Sequence, residues 1–378
     1  MNQRISCDES LKLNNGIVFS WFDDNAICFL PEDSKEVQFL GFFDKAFSNR
    51  RMYKTIQACG DKIIFAPSLA NDIAIYDINS RKTELIALKE LDSSKPKYFK
   101  FWTSLCYGDF VFFIGHYYPA IIALNIYTNE LHYISEWVEE LETNHKNIEN
   151  EPYLTEGVII DDYAYLPFCC SNALLKFNLS NFSWEIIELD VECGGFNGLN
   201  KCDDTLYLIT RNTNELVRWN YINNSIKKIK VCSDIYTDNY VGFHKPLIFN
   251  DYIYLLPIKA KHFYKIDLNL MSTSTIAELE YILDIPKQDF STCYDVVINP
   301  YINNDKLCFI TGSDYLWHEF NLSNNNERFK EIIISEQMQK TILDNKTGNK
   351  IFRQFRNGGI CENETATLSE YIIYINSK

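Results

Sequence analysis

The chain has 378 residues, of which 36 are basic and 51 acidic, so its formal net charge is −15. This balance argues against binding nucleic acid through its phosphates, which requires concentrated positive charge. Hydrophobic residues make up 46% and aromatic residues 15% of the chain, a composition that permits a large core and favours packed β-sheets.

The sequence begins MNQRISCDES, and no apolar run in it approaches the roughly 18 residues of a membrane span. Most of the twelve cysteines stand singly in apolar runs, as Cys28 and Cys308 do, where a reduced thiol acts as a small hydrophobe. No Cys/His set has zinc spacing. We therefore expect a cytoplasmic protein with reduced cysteines, without membrane contact and without a metal or cofactor.

Residues 15–41 open the chain with an Asn15-Gly16 turn, the apolar runs IVFSWF and AICFLP, a Pro31-Glu32 turn and VQFLGFF. Six further units share one layout: a two-residue turn ending in Asp, an apolar run, a polar break, and a second apolar run that closes on Asp or Asn. The turns are Gly60-Asp61, Gly108-Asp109, Asp161-Asp162, Asp203-Asp204, Asn250-Asp251 and Asn304-Asp305. The closing residues are Asp77, Asn125, Asn178, Asn220, Asp267 and Asn321.

The interval from turn Asp to closing residue is 16 residues in all six units. Two strands of about six residues with a short hairpin fill this length, and the closing side chain can cap the turn that follows. Successive closing residues are 42 to 54 residues apart, and Pro31 lies 46 residues before Asp77. Seven units of similar length are therefore predicted.

This period and strand count resemble the four-stranded blades of β-propellers. Phe177-Asn178-Leu179-Ser180-Asn181-Phe182-Ser183-Trp184 resembles the close of the third Kelch strand, in which Tyr-Asp precedes a short turn and then an aromatic residue. The Gly-Gly pair of Kelch repeats and the Trp-Asp signature of WD40 repeats are missing. The resemblance covers residues 15–335 and implies an all-β, seven-bladed propeller of four-stranded antiparallel blades, forming one domain over residues 1–378. Six or eight blades are the alternatives.

Three segments lie outside the repeat. The tail Thr367–Ile375 is strand-like, and we expect this C-terminal strand to join the first blade and close the ring. Residues 136–150 carry Trp137, Val138 and Leu141 at helical spacing, which predicts a short helix. Residues 328–350 mix apolar and polar residues. For these two insertions a lid over the channel, a docking element and a solvated loop remain open.

In a propeller, the innermost strand of each blade faces a central channel, and the residues that enter it crowd the mouth. Seven residues before each turn Asp stand Lys54, Trp102, Thr155, Asn197 and His244. Asp295 is the nearest match in the next unit, and Arg356 stands in a similar setting near the tail. At any single position the simpler interpretation is that the adjacent aromatic residue packs between blades and the polar residue meets channel water. As a set, such varied polar groups are more typical of a ligand-binding surface than of repeated packing.

The loops between second and third strands should open on the same face. Tyr117 and Tyr118 in one of them are predicted to be exposed aromatics that contact peptides or sugars, unless the loop folds on its own rings. Three histidines, His116, His244 and His262, could hold a metal only if their blades converge; ordinary surface or channel positions are the simpler interpretation.

No strong catalytic motif is present. Glu156, His244 and Asp295 are the candidates for acid–base chemistry at the mouth. Two hypotheses remain. The first is a binding or scaffolding propeller that grips a peptide, a protein loop or a glycan at the channel mouth, and the alternative is a lyase or hydrolase that uses the same mouth. The sequence indicates no oligomeric state.

Overall fold

Strands make up nearly all the regular structure of the protein, for which a computed structural model was obtained. The structure describes residues 9–21, 25–43, 51–91, 98–145, 151–231, 242–284, 295–313, 316–330 and 332–342, together with Cys7, Pro96, Ile148, Asp344, Ser369, Ile372 and Asn376. Phe355 and Arg356 lie outside the described residues.

The strands group into seven antiparallel sheets of four, which we name blades I to VII in chain order. Blade I contains β1 (Ser10–Leu13), β2 (Gly16–Trp21), β3 (Ala26–Pro31) and β4 (Gln38–Phe42). Blade II contains β5 (Tyr53–Cys59), β6 (Lys62–Pro67), β7 (Asp72–Asp77) and β8 (Lys82–Ala87). Blade III contains β9 (Phe101–Tyr107), β10 (Phe110–Gly115), β11 (Ile121–Asn125) and β12 (Leu131–Ile134). Blade IV contains β13 (Val158–Ile160), β14 (Tyr163–Pro167), β15 (Ala173–Asn178) and β16 (Trp184–Glu188).

The remaining blades follow the same plan. Blade V contains β17 (Phe196–Cys202), β18 (Thr205–Thr210), β19 (Glu215–Asn220) and β20 (Ser225–Lys230). Blade VI contains β21 (Leu247–Phe249), β22 (Tyr252–Leu255), β23 (Tyr264–Asp267) and β24 (Ser272–Thr275). Blade VII contains β25 (Val297–Asn303), β26 (Lys306–Thr311), β27 (Trp317–Asn321) and β28 (Glu327–Lys330). The prediction of an all-β, seven-bladed propeller is confirmed.

One hairpin geometry accounts for the constant 16-residue interval between the turn Asp and the closing residue. In all six predicted turns the first residue has a left-handed φ, between 49° and 58°, which Gly, Asn and Asp tolerate best. The residue after each closing position donates its N–H to the carbonyl of the turn Asp, as Ile78 does to Asp61 at 2.9 Å. The same bond ties the two ends of the hairpin together in all six units.

The closing Asp or Asn caps the turn that follows it, as predicted. The Oδ1 atom of Asn178 accepts the N–H groups of Ser180 at 2.9 Å and Asn181 at 3.0 Å. Equivalent bonds to the same carboxylate or amide oxygen occur at Asp77, Asn125, Asn220, Asp267 and Asn321. The side chain thus satisfies backbone donors that the strand ladder leaves behind.

The first unit is shifted by one residue from its predicted register. Its turn is Asn14-Asn15, and Gly16 is the first residue of β2, paired with Leu13 and Pro31. A Cβ atom at Gly16 would lie 2.4 Å from the carbonyl oxygen of Leu30, so glycine serves close strand packing there rather than the turn. Pro31 takes the place of the closing Asp, in step with Asp77 as predicted.

Apolar side chains fill the seams between neighbouring blades. Ile64 and Ile73 of blade II, for example, share one buried cluster with Val111, Phe113 and Ile122 of blade III. The predicted helix is present as α1 (Glu136–Asn144), and its buried Trp137 and Leu141 join the seam between blades III and IV. A 3₁₀ segment, Ala277–Asp284, follows blade VI. Within the described part of the chain, no helix combines the length and apolar character needed to cross a membrane.

The ring closes differently from the prediction. Among the described residues, blade I takes its four strands from residues 10–42. Most of the predicted C-terminal strand lies outside the described residues, and its described positions 369 and 372 are helical. The closing contact comes instead from residues 332–342. Ile333 exchanges backbone hydrogen bonds of 2.7 and 2.9 Å with Lys35 and Val37 beside β4.

The same segment corrects the predicted insertion at 328–350. Residues 327–330 are not inserted, because they form β28 and complete blade VII. Helical residues 336–342 then place Met338 and Ile342, with Ile334, in the buried cluster shared by blades VII and I. This segment is therefore neither a lid nor a solvated loop but part of the seam that closes the ring.

Candidate functional site

The inner strands of the blades begin at one face of the ring, and a cavity of about 870 Å³ opens there. Residues of all seven blades, or of the segments leading into them, line this cavity, which we call the channel mouth. The inner strands begin on this face, and described loops between the second and third strands of blades III to VI also line the cavity, so the face combines several short segments on a rigid scaffold.

Most of the residues predicted for the site meet there. The channel mouth is lined by Lys54, Trp102, Tyr117, Glu156, Asn197, His244 and Asp295. Their shared location is established, while their role in ligand binding or catalysis stays a prediction. Thr155 is fully buried and does not line the cavity, and Arg356 lies outside the described residues.

The prediction that Tyr118 is an exposed aromatic residue is wrong. It is only 7% exposed, its ring packs 5.1 Å from that of Phe101, and its hydroxyl donates to the Lys89 carbonyl. The side chain belongs to the seam between blades II and III, because the two neighbouring tyrosines of this loop point to opposite sides. Tyr117 alone reaches the cavity.

Lys54 and Trp102 form a contact pair at the start of β5 and β9. The Lys54 ammonium lies 3.5 Å from the centre of the Trp102 ring, a cation–π geometry. The His116 ring lies against the same indole with centroids 4.6 Å apart. Its Nδ1–H donates to the Leu154 carbonyl at 2.7 Å, which places the lone pair of the neutral ring on Nε2. The indole therefore serves to position Lys54 rather than to offer a bare face.

A second charged pair crosses the channel. Lys245, which leads into β21, donates to the carboxylate of Glu156, which leads into β13, and both side chains are about 30% exposed, at 28% and 32%. Gly198 on the intervening β17 makes room for this contact. A Cβ atom there would lie 2.6 Å from the Lys245 Cβ, and its φ of 137° is strained for any other residue.

Glu9, which precedes β1, lies in the field of these groups. Burial in the channel and the nearby Glu156 carboxylate raise the pKa of Glu9 to about 8, while Lys54 and Lys245 act in the opposite direction. The carboxyl group is therefore mostly protonated at neutral pH and can act as a hydrogen-bond donor.

His244 is held as a neutral base. Burial lowers its pKa, although Asp295 and the backbone of Val297 oppose the change. Its Nε2 lies 2.8 Å from the Val297 carbonyl, which can only accept, so the neutral ring carries its proton on Nε2 and its lone pair on Nδ1. A protonated Glu9 and an unprotonated His244 thus share one cavity.

Aromatic rings form one side of the channel mouth. Tyr98 is 47% exposed and lies 5.5 Å, centroid to centroid, from both Phe99 and Tyr117. Next to them Arg211 donates to Glu151 at 2.6 Å and to the Cys169 carbonyl at 3.3 Å, which fixes the guanidinium at the edge of the cavity. These rings form an aromatic wall of the cavity that the charged groups also line.

Sequence reasoning missed Glu9 and Lys245, and a different count would have found them. Counting six residues back from the second turn residue, rather than seven, reaches a residue within or just before the inner strand of each blade. The seven positions are Glu9, Thr55, Thr103, Glu156, Gly198, Lys245 and Asn299. The inner strands β5, β17 and β25 contain bulges, whereas the inner strands of blades I and VI, which follow Glu9 and Lys245, pair without a register shift.

The three histidines do not converge. His116 and His244 line the channel mouth, while His262 bonds to Glu280 of the 3₁₀ segment at 2.6 Å. Among the described residues, no group of three His, Cys, Asp or Glu side chains is arranged to hold a metal ion.

Comparison with known proteins supports the fold. No protein-family model matches the chain, and no curated protein matches it at a significant level. Among solved structures, virginiamycin B lyase from Staphylococcus aureus superposes with a TM-score of 0.59 at 12% identity, covering 83% of this chain and 94% of the other. BamB from Moraxella catarrhalis gives 0.51 at 14%, covering 79% and 80%.

A third structure, PorZ of the type-IX secretion system of Porphyromonas gingivalis, gives a TM-score of 0.54 at 9% identity, covering 88% of this chain and 39% of the other. Identities this low establish a shared propeller fold and nothing finer. The resemblance to Kelch repeats is not confirmed by these comparisons.

Proposed function

We propose that this propeller is a binding module whose channel mouth takes an extended peptide or protein loop bearing acidic side chains. The observation that carries the proposal is the pairing of an aromatic wall with cationic groups in one cavity. Its volume of about 870 Å³ falls within the range of ligand sites.

The charge of the cavity favours an acidic ligand. Lys54, Lys245 and Lys259 line it together with Arg211. The acidic lining residues among those described are Glu9, Glu156 and Asp295, and the raised pKa of Glu9 removes most of one negative charge at neutral pH. A cavity with excess positive charge on a protein of net charge −15 attracts and orients acidic ligands locally.

The aromatic wall favours a peptide over a phosphate or a simple anion. Tyr98, Phe99 and Tyr117 contribute rigid rings that bury apolar area at low entropic cost. A peptide segment offers both apolar side chains for these rings and carboxylates for the lysines. Such a ligand is consistent with an interaction or scaffolding role.

The test is a thermal-shift screen with pooled acidic, neutral and basic peptides and with neutral and acidic oligosaccharides, followed by calorimetric titration. We expect acidic peptides to raise the melting temperature, and the affinity to fall with increasing salt. Lys54→Met and Tyr98→Ala should each weaken binding at least tenfold, about 1.4 kcal/mol.

Matched controls lie outside the cavity. Lys265 makes a similar contact over the Tyr252 ring at 3.7 Å, so Lys265→Met should leave affinity unchanged. Tyr127 is an exposed aromatic on the opposite face, so Tyr127→Ala should also be silent. Equal binding of basic peptides or neutral glycans, or normal binding by Lys54→Met, would refute the proposed ligand class.

An enzyme is the second candidate, favoured by the protonated Glu9 and the neutral His244 in one cavity. The pKa of the Glu9 carboxyl is raised and that of the His244 imidazole is lowered, so the carboxyl group is the acid and the imidazole is the base. Such a pair is a common arrangement for proton transfer. One of the structurally similar proteins is virginiamycin B lyase. Mass spectrometry of recovered ligands distinguishes the two: unchanged ligand supports the binding module, and a product lost in Glu9→Gln and His244→Gln supports the enzyme.

A further inference from the structure

Two cysteines meet at the end of the channel opposite the mouth. Cys59 is the last residue of β5, and Cys106 lies near the end of β9, on the inner strands of blades II and III. Their Sγ atoms are 3.6 Å apart. Cys106 is exposed and Cys59 is partly exposed, so solvent reaches the pair.

Side-chain hydrogen bonds hold the two strands in register around these thiols. The Thr55 hydroxyl bonds to that of Ser104, and the Gln57 amide donates to the Ser104 carbonyl at 2.7 Å. The side-chain oxygen of Gln57, Oε1, lies 3.4 Å from the Cys106 sulfur. Because β5 and β9 belong to different blades, these contacts rather than a strand ladder fix their spacing.

The distance between the sulfurs suits cross-linking. A disulfide requires about 2.05 Å between them, so the pair must close by about 1.5 Å. Because Cys59 ends β5 and Cys106 is the last residue but one of β9, this approach requires movement only at the ends of the two strands.

Ionisation of one thiol is favoured. The hydrogen bond between the two thiols lowers the pKa of Cys59 to about 7, and the same contact raises that of Cys106. At neutral pH about half of Cys59 is then thiolate, against a few per cent for an ordinary cysteine, and the thiolate is the nucleophile in disulfide exchange.

We propose that Cys59 and Cys106 form a reversible disulfide that joins blades II and III on exposure to a small-molecule disulfide such as oxidised glutathione. The Cys59 thiolate attacks one sulfur of the oxidant, and one glutathione thiolate leaves. Cys106 then gives up its proton, attacks the mixed disulfide at Cys59, and releases the second glutathione. Two protein thiols are oxidised and one disulfide is reduced to two thiols, so atoms and electrons balance.

The test uses the folded full-length protein in redox buffers of reduced and oxidised glutathione. After equilibration, the remaining thiols are alkylated under denaturing conditions, and the disulfides are mapped by peptide mass spectrometry. We expect two fewer of the twelve thiols to be alkylated, with a peptide linking Cys59 to Cys106. Excess reduced glutathione should restore both.

Serine variants provide the controls. Cys59→Ser and Cys106→Ser should abolish the linked peptide, and each should leave the other cysteine as a mixed disulfide with glutathione or as a thiol. Cys202 ends β17 at the position where Cys59 ends β5, so Cys202→Ser should retain the link. The proposal is overturned if both cysteines of the wild-type protein stay alkylatable, if glutathione remains on either as the main product, or if another cysteine takes the place of one.

Discussion

The charge state of Glu9 makes stability depend on pH in a way that can be measured. The folded protein raises the pKa of this carboxyl group from 4.5 to about 8. Replacing Glu9 by Gln removes the ionisation while keeping a similar shape. Comparing the two proteins across pH therefore isolates the contribution of this one group.

The direction and size follow from linkage. Between pH 4.5 and about 8, the unfolded chain has lost the Glu9 proton while the folded protein retains it. The free energy of unfolding therefore falls as pH rises, by about 1.4 kcal/mol for each pH unit. Over the whole window the wild-type protein should lose at most about 5 kcal/mol relative to Glu9→Gln, since partial exposure of Glu9 screens its interactions.

The assay is urea unfolding of both proteins at intervals from pH 4.5 to 8.5. We expect the two free energies to agree most closely at low pH and to diverge steadily above it, with the variant the more stable. In Glu156→Gln the pKa of Glu9 should be lower, because the Glu156 carboxylate contributes to raising it. The free energy of unfolding of this variant should therefore stop falling at a lower pH. Glu140→Gln, on the exposed face of α1, should follow the wild type. Parallel curves for wild type and Glu9→Gln would refute this account of the channel.

Three further substitutions test the fold that positions the site. Met338→Ala should lower the free energy of unfolding by about 2–5 kcal/mol in urea titrations, because it opens a cavity in the seam that closes the ring. If the loss is no greater than that caused by Gln337→Ala, at an exposed neighbouring position, the described closure is wrong. Asn178→Ala should cost about 1 kcal/mol by removing the turn cap, whereas Asn178→Asp should retain most of the stability, and equal losses would show that the cap is unimportant. Gly198→Ala should cost about 1–3 kcal/mol through its positive φ and its contact with Lys245, and normal melting of this variant would contradict the packing described for the channel.

The blades could be predicted from the sequence because each hairpin is defined by local chemistry. The turn residues and the closing Asp or Asn are joined by backbone and side-chain bonds within a single hairpin, so their spacing is set locally. The first unit was read one residue out of step because Asn15-Gly16 matches the same turn chemistry as the true turn, Asn14-Asn15. The four-residue strand β1 has too little pattern to correct that choice.

Counting along the repeat predicted several of the residues that line the channel mouth and missed others. Counting along the repeat brought Lys54, Trp102 and His244 to one face, because every blade enters its inner strand on the same side. Lys245 was missed because the count of seven reaches His244, one residue before it, and Glu9 was missed because the count began at the second unit. Tyr117 lines the cavity whereas Tyr118 is buried, and this difference depends on how one loop folds against a neighbouring blade.

Local chemistry in the sequence alone thus determined the strand content, the number of blades and the face at which the inner strands begin. Only the tertiary structure decided how the ring closes, which charges meet in the channel, and that Cys59 lies beside Cys106. These features join residues 47 to about 300 positions apart, such as Cys59 with Cys106 and Ser10 with Asn299. Their proximity comes from the packing of whole blades around an axis, for which a linear pattern carries no local signal.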